Sequence, residues 1–334
     1  MVTGFTVRNT HSSTYHNPVM VTQVIDALLL NVSLNNNVPR IYLDCTLGGG
    51  GHSEAILESL GPNDLLVGVD QDQQSLDFVS ARINDPRFVP LKSNFRDLAR
   101  TLPTLPTFHL LTCPIKVDGM FMDLGVSSNQ IDVAGRGFSF MQHGPLDMRM
   151  NTDTGSSAAD VINKSDESNL VRILRNYGDE PRARKIAKSI LEDLPINTTT
   201  ELVNSVGRVV PEFHKNKRLG RTATLARVFQ AFRICVNDEM GCLSEALLEV
   251  APKLVKKGGV LVVLTYHSLE DRPVKRVMKD GVVERVDNRA KDVWGNEIVK
   301  RPWEMFISGK KASGGEVEVN SRARSARLRA AKRM

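Results

Sequence analysis

Short apolar runs alternate with helical patterns four times in the first part of the chain, and this alternation constrains the fold more than any other feature. The apolar runs occupy residues 40–45, 65–70, 87–91 and 117–123, and the helical or polar stretches between and after them occupy 52–61, 72–84 and 95–102. Such alternation is typical of parallel strands joined by crossover helices. A fifth run at 259–265 extends the pattern. The sequence therefore predicts an α/β, Rossmann-like, doubly wound sheet.

The interval between the fourth and fifth runs, about 135 residues, is too long for a single crossover. It holds helical patterns, which lie at 157–164, 167–192, 198–209 and 222–255. We therefore expect an inserted α-helical domain at residues 135–225 that interrupts a discontinuous α/β domain of residues 16–134 and 226–334.

Composition restricts the class of protein and its compartment. No apolar run approaches the roughly 20 residues that a bilayer span needs, so no membrane is expected as a partner. The four cysteines form no C-x-x-C pair, which favours a reducing compartment, and no cluster has the spacing of a metal site. Residues 1–25 lack Asp and Glu, which also suits a trimmed organellar leader. The expected location is the cytoplasm in a bacterium, or a mitochondrion or chloroplast for an organellar homologue.

Positive charge is concentrated in three places. The net charge of +6 equals the charge of the arginine-rich C-terminus at 320–334, and residues 171–190 and 208–233 are basic as well. Dense cations indicate a polyanion partner such as RNA. The alternative is a solvated helix face or a frayed tail.

A glycine-rich turn follows the first predicted strand. Asp44-Cys-Thr-Leu runs into Gly48-Gly-Gly-Gly51, and the second strand ends in Asp70, nineteen residues after Gly51. Glycines let the backbone approach a ligand, and an acid at this position can accept the ribose hydroxyls of a nucleoside. Because Ser53 stands where a dinucleotide fingerprint has its third glycine, S-adenosylmethionine suits the pattern better than NAD. A simple tight turn is the alternative.

Polar residues also follow the fourth and fifth strands. Strand four ends in Asp123, followed by Leu-Gly-Val-Ser-Ser-Asn-Gln130, and strand five in Tyr266-His267-Ser-Leu-Glu-Asp. Residues here reach the crevice at the carboxyl edge of the sheet, where an acid can accept a hydrogen bond from an exocyclic amine. The alternative is that Asp123 caps the next turn and that residues 268–271 cap a helix.

Taken together, the motifs resemble a known family, the bacterial and organellar small-subunit ribosomal RNA cytosine-N4-methyltransferases (the RsmH, formerly MraW, group). The motifs are His16-Asn-Pro-Val-Met, Leu47-Gly-Gly-Gly-Gly-His-Ser, Gly68-Val-Asp-Gln-Asp, Met122-Asp-Leu-Gly-Val-Ser-Ser-Asn-Gln, Arg136-Gly-Phe-Ser-Phe, Gly144-Pro-Leu-Asp-Met-Arg-Met, Tyr177-Gly-Asp-Glu, Arg227-Val-Phe-Gln-Ala-Phe-Arg-Ile, Tyr266-His-Ser-Leu-Glu-Asp-Arg and Asn320-Ser-Arg-Ala-Arg-Ser-Ala. The resemblance implies a class I methyltransferase sheet with an inserted helical domain, and transfer of a methyl group from S-adenosylmethionine to the N4 amine of a cytidine in the decoding region.

The resemblance also implies the residues that contact the cofactor, which are Gly50, Gly51, His52, Asp70, Phe95, Asp123 and Gln130. Two departures are small. The usual Asp-Arg-Asp after strand two is Asp70-Gln-Asp72 here, and the usual Phe-His-Ser is Tyr266-His267-Ser268.

For the chemistry, we expect Asp123 to bond the hydrogens of the target amine, whose nitrogen must lie about 3 Å from the methyl carbon. The alternative is that Asp123 mainly orients the cofactor. The Pro-Pro-aromatic turn of other amino-methyltransferases is replaced here by Leu124-Gly-Val-Ser. The aromatic that stacks on the base must therefore come from Phe138, Phe140 or Tyr266, although both phenylalanines are equally compatible with the core of the insert. We expect Tyr266 and His267 to line the target pocket.

The expected partner is small-subunit ribosomal RNA within an assembled subunit, and the sequence leaves open whether the chain acts alone or as a homodimer. Phosphate contacts are expected from the arginine tail and from Arg182, Arg184, Lys185, Lys215, Lys217, Arg218 and Arg221. Asp147 and Arg149 should either pair with each other or touch substrate, and Cys235 and Cys242 should share one face of a helix in the core. Two rival functions are methylation of a protein or small molecule, and RNA binding without catalysis.

Overall fold

The computed structural model describes residues 18–30, 38–108, 114–284 and 301–334. Three features singled out in the sequence lie outside these ranges: Cys113, the leader-like residues 1–17, and the His16-Asn17 start of the first motif.

A seven-stranded sheet with strand order β3-β2-β1-β4-β5-β7-β6 organises the molecule. Its strands are β1 (Ile41–Asp44), β2 (Leu65–Asp70), β3 (Phe88–Lys92), β4 (Val117–Asp123), β5 (Val255–Thr265), β6 (Trp303–Lys311) and β7 (Arg327–Arg333). The strands β1 to β5 run parallel, whereas β7 lies antiparallel between β5 and β6. The predicted Rossmann-like sheet is confirmed.

Fourteen α-helices are present in the described ranges. They are α1 (Val21–Leu28), α2 (Gly51–Ser59), α3 (Gln73–Arg82), α4 (Leu98–Thr101), α5 (Ser128–Asp132), α6 (Ala158–Asn163), α7 (Glu167–Asn176), α8 (Ala183–Glu192), α9 (Thr199–Val209), α10 (Arg221–Asn237), α11 (Glu239–Glu245), α12 (Ala251–Leu254), α13 (Ser268–Asp280) and α14 (Gly314–Val319). Within those ranges, each helix is too short or too polar to cross a membrane.

Helices cover both faces of the sheet because alternate strand residues point to opposite sides. On β4, Met120 and Met122 join a core with α11, α12 and α13, whereas Phe121 joins a second core with α1, α2 and α3. Burial on both faces explains why β4 and β5 read as continuous apolar runs. Because β1 to β5 run parallel, their carboxyl ends lie at the same edge of the sheet.

The helices α6 to α10 enclose a core of their own. Ala183, Ile186, Ala187 and Ile190 recur at helical spacing on α8 and pack with apolar residues of α7, α9 and α10. This core extends to Phe232 on α10. The expected domain boundary at 225/226 therefore falls inside a helix.

Two long helices expected from periodicity are each interrupted. The pattern at 167–192 forms α7 and α8, which are separated by a turn containing Gly178, Asp179 with φ 47°, and Pro181. The pattern at 222–255 breaks at Asp238, also with φ 47°. The expectation that one helix carries both Cys235 and Cys242 is therefore wrong, because they lie on α10 and α11 respectively. Cys242 is buried, whereas Cys235 is half-buried.

The arginine-rich C-terminus forms strand β7. Arg329 is only 2% exposed, and its Nε lies 2.8 Å from Oδ1 of Asp271. Arg333 packs over the Trp303 ring at 5.8 Å. The expectation that the tail as a whole contacts phosphates is therefore wrong for Arg329, because β7 is an interior strand whose neighbours bury this side chain.

Candidate active site

A cleft of about 910 Å³ opens at the carboxyl edge of the sheet. The predicted cofactor and catalytic residues all line it, namely Gly50, Gly51, His52, Asp70, Phe95, Asp123, Gln130, Tyr266 and His267. They come from the ends of β2, β4 and β5, from the loop after β3 and from the beginnings of α2 and α5. The topology therefore assembles residues that lie far apart in the sequence into one cavity.

The glycine-rich turn is held tightly between β1 and α2. Gly50 precedes α2 with φ 78°, and a Cβ atom there would lie 2.9 Å from Val79. A Cβ atom on Gly51 would lie 3.0 Å from Pro18. Only glycine fits Gly50 without strain, and the backbone of the turn therefore forms the wall of the cleft.

Asp70 fixes the same turn from the end of β2. Its Oδ2 accepts the N–H of Gly48 at 2.9 Å, and its Oδ1 accepts the N–H of Asp72 at 2.9 Å. Burial raises the pKa of Asp70 to about 6. A carboxylate offers about four acceptor positions. Asp70 thus retains acceptor capacity toward the cleft, which suits the hydroxyl groups of a ribose.

Asp123 lies at the end of β4 and contacts a residue from the end of β5. The Tyr266 hydroxyl donates to Asp123 Oδ1 at 2.7 Å. Burial raises the pKa of Asp123 to about 7, although the bond from Tyr266 acts in the opposite direction. The carboxyl group is therefore close to its midpoint of ionisation at neutral pH.

His52 lies on the other side of Asp123. Its Nε2 is 2.9 Å from the Val19 carbonyl, and its Nδ1 is 3.6 Å from Asp123 Oδ2. Because a carbonyl only accepts, Nε2 carries the proton, and burial lowers the pKa of the ring. Nδ1 therefore presents a lone pair to Asp123, which favours a protonated carboxyl group.

Glu270 organises the end of β5. Its Oε2 accepts the Tyr266 N–H at 2.8 Å, and its Oε1 lies 2.8 Å from His267 Nε2 without the alignment of a hydrogen bond. Burial tends to raise the pKa of Glu270, but the contacts with His267 and nearby Arg233 outweigh it and the pKa is lowered. Glu270 thus anchors both expected pocket residues.

The model of the MraW methylase family matches residues 13–334. The chain belongs to the MraW methylase family. A "Ribosomal RNA small subunit methyltransferase H" from Chlorobium chlorochromatii is 40% identical over 95% of this chain and 96% of that relative. The protein of the same name from Methylococcus capsulatus is 42% identical over 88% of this chain and 94% of its own length.

Solved structures show a more distant likeness. A putative rRNA-methylase from Clostridium thermocellum is 11% identical, with a TM-score of 0.40 over 95% of this chain and 98% of that chain. A putative methyltransferase from Streptococcus mutans, in complex with SAH, is 8% identical with a TM-score of 0.36 over 94% of this chain and 97% of that chain.

In this MraW methylase, Gln130 and Phe95 line the cleft from the segments that follow β4 and β3. Gln130 closes the turn after β4, where its Oε1 accepts the Ser127 N–H at 3.0 Å and its Nε2 donates to Asp72 at 3.2 Å. Asp72 is also paired with the buried Arg136 at 2.6 Å. Phe95 is half-buried on the turn after β3. The loop after α5 is therefore tied to the turn between β2 and α3.

Sequence reasoning missed several residues of the cleft. They are Arg233, Glu239, Glu270, Glu316 and Arg322. Arg233 bonds Glu239 through Nε at 2.7 Å, and Arg322 bonds the Ser128 hydroxyl. Three of these residues, Arg233, Glu270 and Arg322, stand within the quoted motifs, so the motifs held a signal for them. Nothing in the sequence marked Glu316, which accepts the Met20 N–H.

The three candidate stacking aromatics separate in the structure. Tyr266 lines the cleft, whereas Phe138 is buried in the helical core and Phe140 packs against Phe229 with ring centroids 5.7 Å apart. The interpretation of the two phenylalanines as core of the insert is therefore correct for Phe138. Asp147 and Arg149 pair with each other, with Arg149 Nε 2.8 Å from Asp147 Oδ1.

The predicted RNA-contacting cations of the MraW methylase lie on the helical layer, which comprises α6 to α10 and the turns between them, and fall into two groups. Arg182 donates to the Leu219 carbonyl at 2.8 Å, and Arg221 donates to the Gly207 carbonyl at 3.2 Å, so both guanidinium groups support main-chain carbonyls. The remaining side chains are exposed: Arg184, Lys185, Lys215, Lys217 and Arg218. The exposed group presents the charge that a phosphate backbone can meet.

Proposed function

We propose that this methylase transfers a methyl group from S-adenosylmethionine to the N4 amine of a cytidine in the decoding region of small-subunit ribosomal RNA. The observation that carries the proposal is Asp123, a half-buried acid that shares one cleft with the glycine-rich turn and Asp70. The names of relatives 40–42% identical to the chain support ribosomal RNA of the small subunit as the substrate.

The residues of the cleft fit the cofactor. Gly50 and Gly51 bring main chain to the surface of the cavity, Asp70 has acceptor positions for a ribose, and Phe95 offers an aromatic surface. Asp123, Gln130 and His52 complete this wall. When bound, S-adenosylmethionine supplies a methyl group on a positively charged sulfur.

Asp123 acts on the target amine. An exocyclic amine of cytosine is a weak nucleophile because its lone pair is delocalised into the ring. The ionised Asp123 accepts a hydrogen bond from this amine and takes up the proton that the nitrogen loses when its new bond to carbon forms. A pKa of about 7 matches this exchange of a proton near neutral pH.

Tyr266 and His267 hold the base. The Tyr266 ring lines the cleft while its hydroxyl fixes Asp123, so one side chain both stacks on the base and orients the acceptor. His267 lies beside it on a segment anchored by Glu270. Their roles differ accordingly: Tyr266 contacts the reacting base and His267 closes the pocket.

The rest of the RNA is held outside the cleft. The exposed cations of the helical layer hold the phosphate backbone, so that a single cytidine can enter the cavity.

In this proposal residues 16–134 and 226–334 form the cofactor domain and 135–225 the domain that recognises RNA. The substrate is an assembled small subunit, the location is the bacterial cytoplasm or the interior of an organelle, and a homodimer is compatible with the proposal.

The test is transfer of labelled methyl from S-adenosylmethionine to three acceptors: small subunits, their naked RNA, and ribosomal proteins stripped of RNA. We expect label on RNA, and more on subunits than on naked RNA. Label on protein alone would favour the rival methyl acceptor. Cofactor binding without any transfer would favour RNA binding without catalysis.

A further inference from the structure

An exposed aromatic stands among cations at the end of the helical layer farthest along α10 from the cleft. We define the basic loop as residues 211–218, Pro-Glu-Phe-His-Lys-Asn-Lys-Arg, all of which are exposed. Phe213 within it is 87% exposed, more than any other large apolar side chain of the described residues. The loop carries Lys215, Lys217 and Arg218 against Glu212.

The basic loop is locally ordered by its own side chains. His214 Nδ1 accepts the Asn216 N–H at 3.1 Å, and Asn216 Oδ1 accepts the Arg218 N–H at 3.1 Å. These bonds shape a tight turn that continues into a single 3₁₀ turn at Lys217–Leu219. The cations therefore project from a defined segment.

The loop is also anchored to the core of the helical layer. Arg227 Nη1 donates to the Arg218 carbonyl at 2.8 Å, and its Nη2 pairs at 2.6 Å with Glu180, whose side chain is fully buried. Arg182 donates to the Leu219 carbonyl at 2.8 Å. Arg182 immediately precedes α8, whose first turn carries the exposed Arg184 and Lys185, so the same contact ties the start of α8 to the end of the loop.

We propose that the basic loop is a contact site for single-stranded RNA in which Phe213 stacks on a nucleobase while Lys215, Lys217 and Arg218 hold the adjacent phosphates. Every base offers a face to an aromatic ring, and cations beside that ring supply the charge that a phosphate backbone requires. Bases within a duplex are already stacked on one another, so the site selects unpaired segments.

The position of the loop relates it to the target nucleotide. Arg221 and Arg233 are twelve residues apart on α10, which corresponds to about 18 Å at 1.5 Å per residue. Arg233 lines the cleft. Phe213 therefore meets RNA away from the methylated base, at the opposite end of α10 from the cleft. This relation between the loop and the target base rests on the proposed function.

The test is binding of the full chain to a fluorescein-labelled, unstructured RNA 20-mer and to a duplex of the same sequence, measured by anisotropy. Phe213→Ala should weaken binding of the single strand about five- to 100-fold and leave duplex binding unchanged. Its salt dependence should remain that of the wild type, because no cation is lost. Phe213→Trp should restore binding.

The matched control is Val38→Ala, since Val38 is an apolar side chain 68% exposed at the amino edge of the sheet, before β1. It should bind like the wild type. The proposal is overturned if Phe213→Ala binds the single strand like the wild type, or if it weakens binding of the duplex as much as binding of the single strand. Because binding is measured without methyl transfer, the effect of Phe213→Ala can be interpreted even if the wild type is inactive. An inactive wild type would contradict the proposed function alone.

Discussion

Asp123, His52 and Tyr266 form one connected unit at the scale of single residues. His52 donates to the Val19 carbonyl and turns its unprotonated nitrogen toward Asp123, while Tyr266 donates to the other carboxyl oxygen. One neighbour thus favours the protonated carboxyl and the other the ionised carboxyl. Burial, helped by the negative charge of nearby Glu270, raises the pKa of Asp123 to about 7 against the bond from Tyr266.

This environment predicts a stability that depends on pH. Between the usual pKa of 3.8 and about 7, the folded state holds a proton on Asp123 that the unfolded state has lost, so the free energy of unfolding falls as pH rises through this window. Asp123→Asn mimics the protonated group. In urea unfolding, the stabilisation by Asp123→Asn should therefore be greater at pH 8.5 than at pH 5, and the difference should be roughly 2 kcal/mol. An equal difference at both pH values contradicts the assignment.

Tyr266 allows its ring and its hydroxyl to be tested separately. Tyr266→Phe keeps the ring and removes the bond that lowers the pKa of Asp123. The acid limb of kcat/KM should then move to higher pH, with KM for RNA nearly unchanged. Tyr266→Ala should also raise KM about five- to 100-fold, because stacking is lost. Profiles from pH 6 to 9 distinguish these outcomes, and an unshifted profile for Tyr266→Phe would count against the role of the hydroxyl.

At this scale the sequence predicted the acids but not their environment. Asp70 and Asp123 were predicted because each ends an apolar run, a signal that is local. The pairing of Asp123 with Tyr266 joins residues 143 positions apart. Periodicity carries no information on such a contact, which depends on the pairing of β4 with β5.

Among the elements, β7 departs most from expectation. Its sequence, Arg-Leu-Arg-Ala-Ala-Lys-Arg, has the charge of a solvated tail, yet β5 and β6 pair with it on both sides. Main-chain pairing and the bond of Arg329 to Asp271 override the low strand propensity of the segment. The breaks at Asp179 and Asp238 likewise escaped prediction, since the apolar period continues on both sides of each turn.

The buried pair predicts how β7 is held. Arg329→Ala should destabilise the fold by about 3 kcal/mol, because it leaves the half-buried carboxylate of Asp271 without its partner. Arg324→Ala, which removes an exposed arginine nearby in sequence, should change the free energy of unfolding by less than about 0.5 kcal/mol. Urea unfolding of both variants provides the comparison. Similar small effects would mean that Arg329 behaves as a surface cation.

The whole molecule divides its work between two polar regions. The carboxyl edge of the sheet holds the cleft, and the helical layer carries exposed cations at a distance along α10. The sequence could predict both regions, because strand ends and charge clusters are local. It could not predict that Arg182 and Arg221 serve helix carbonyls, since that depends on how α8, α9 and α10 pack.

Salt dependence tests this division. Lys215→Ala combined with Lys217→Ala should reduce the slope of log K against log salt for single-stranded RNA by about 1.4, at about 0.7 per lost phosphate contact. The control is Lys253→Ala combined with Lys257→Ala, which removes the same charge from the amino edge of the sheet, near the start of β5. An equal fall in slope for both pairs would mean that net charge alone governs binding.

The most direct test of the account is mass spectrometry of nucleosides from small-subunit RNA after incubation with S-adenosylmethionine at saturating concentration. Wild type should produce N4-methylcytidine at one position, and Asp123→Asn should reduce its rate of formation by about 10²–10⁴-fold. Absence of N4-methylcytidine with a wild-type protein that binds the cofactor, or equal rates from both proteins, would contradict the assignment of Asp123 and of the reaction.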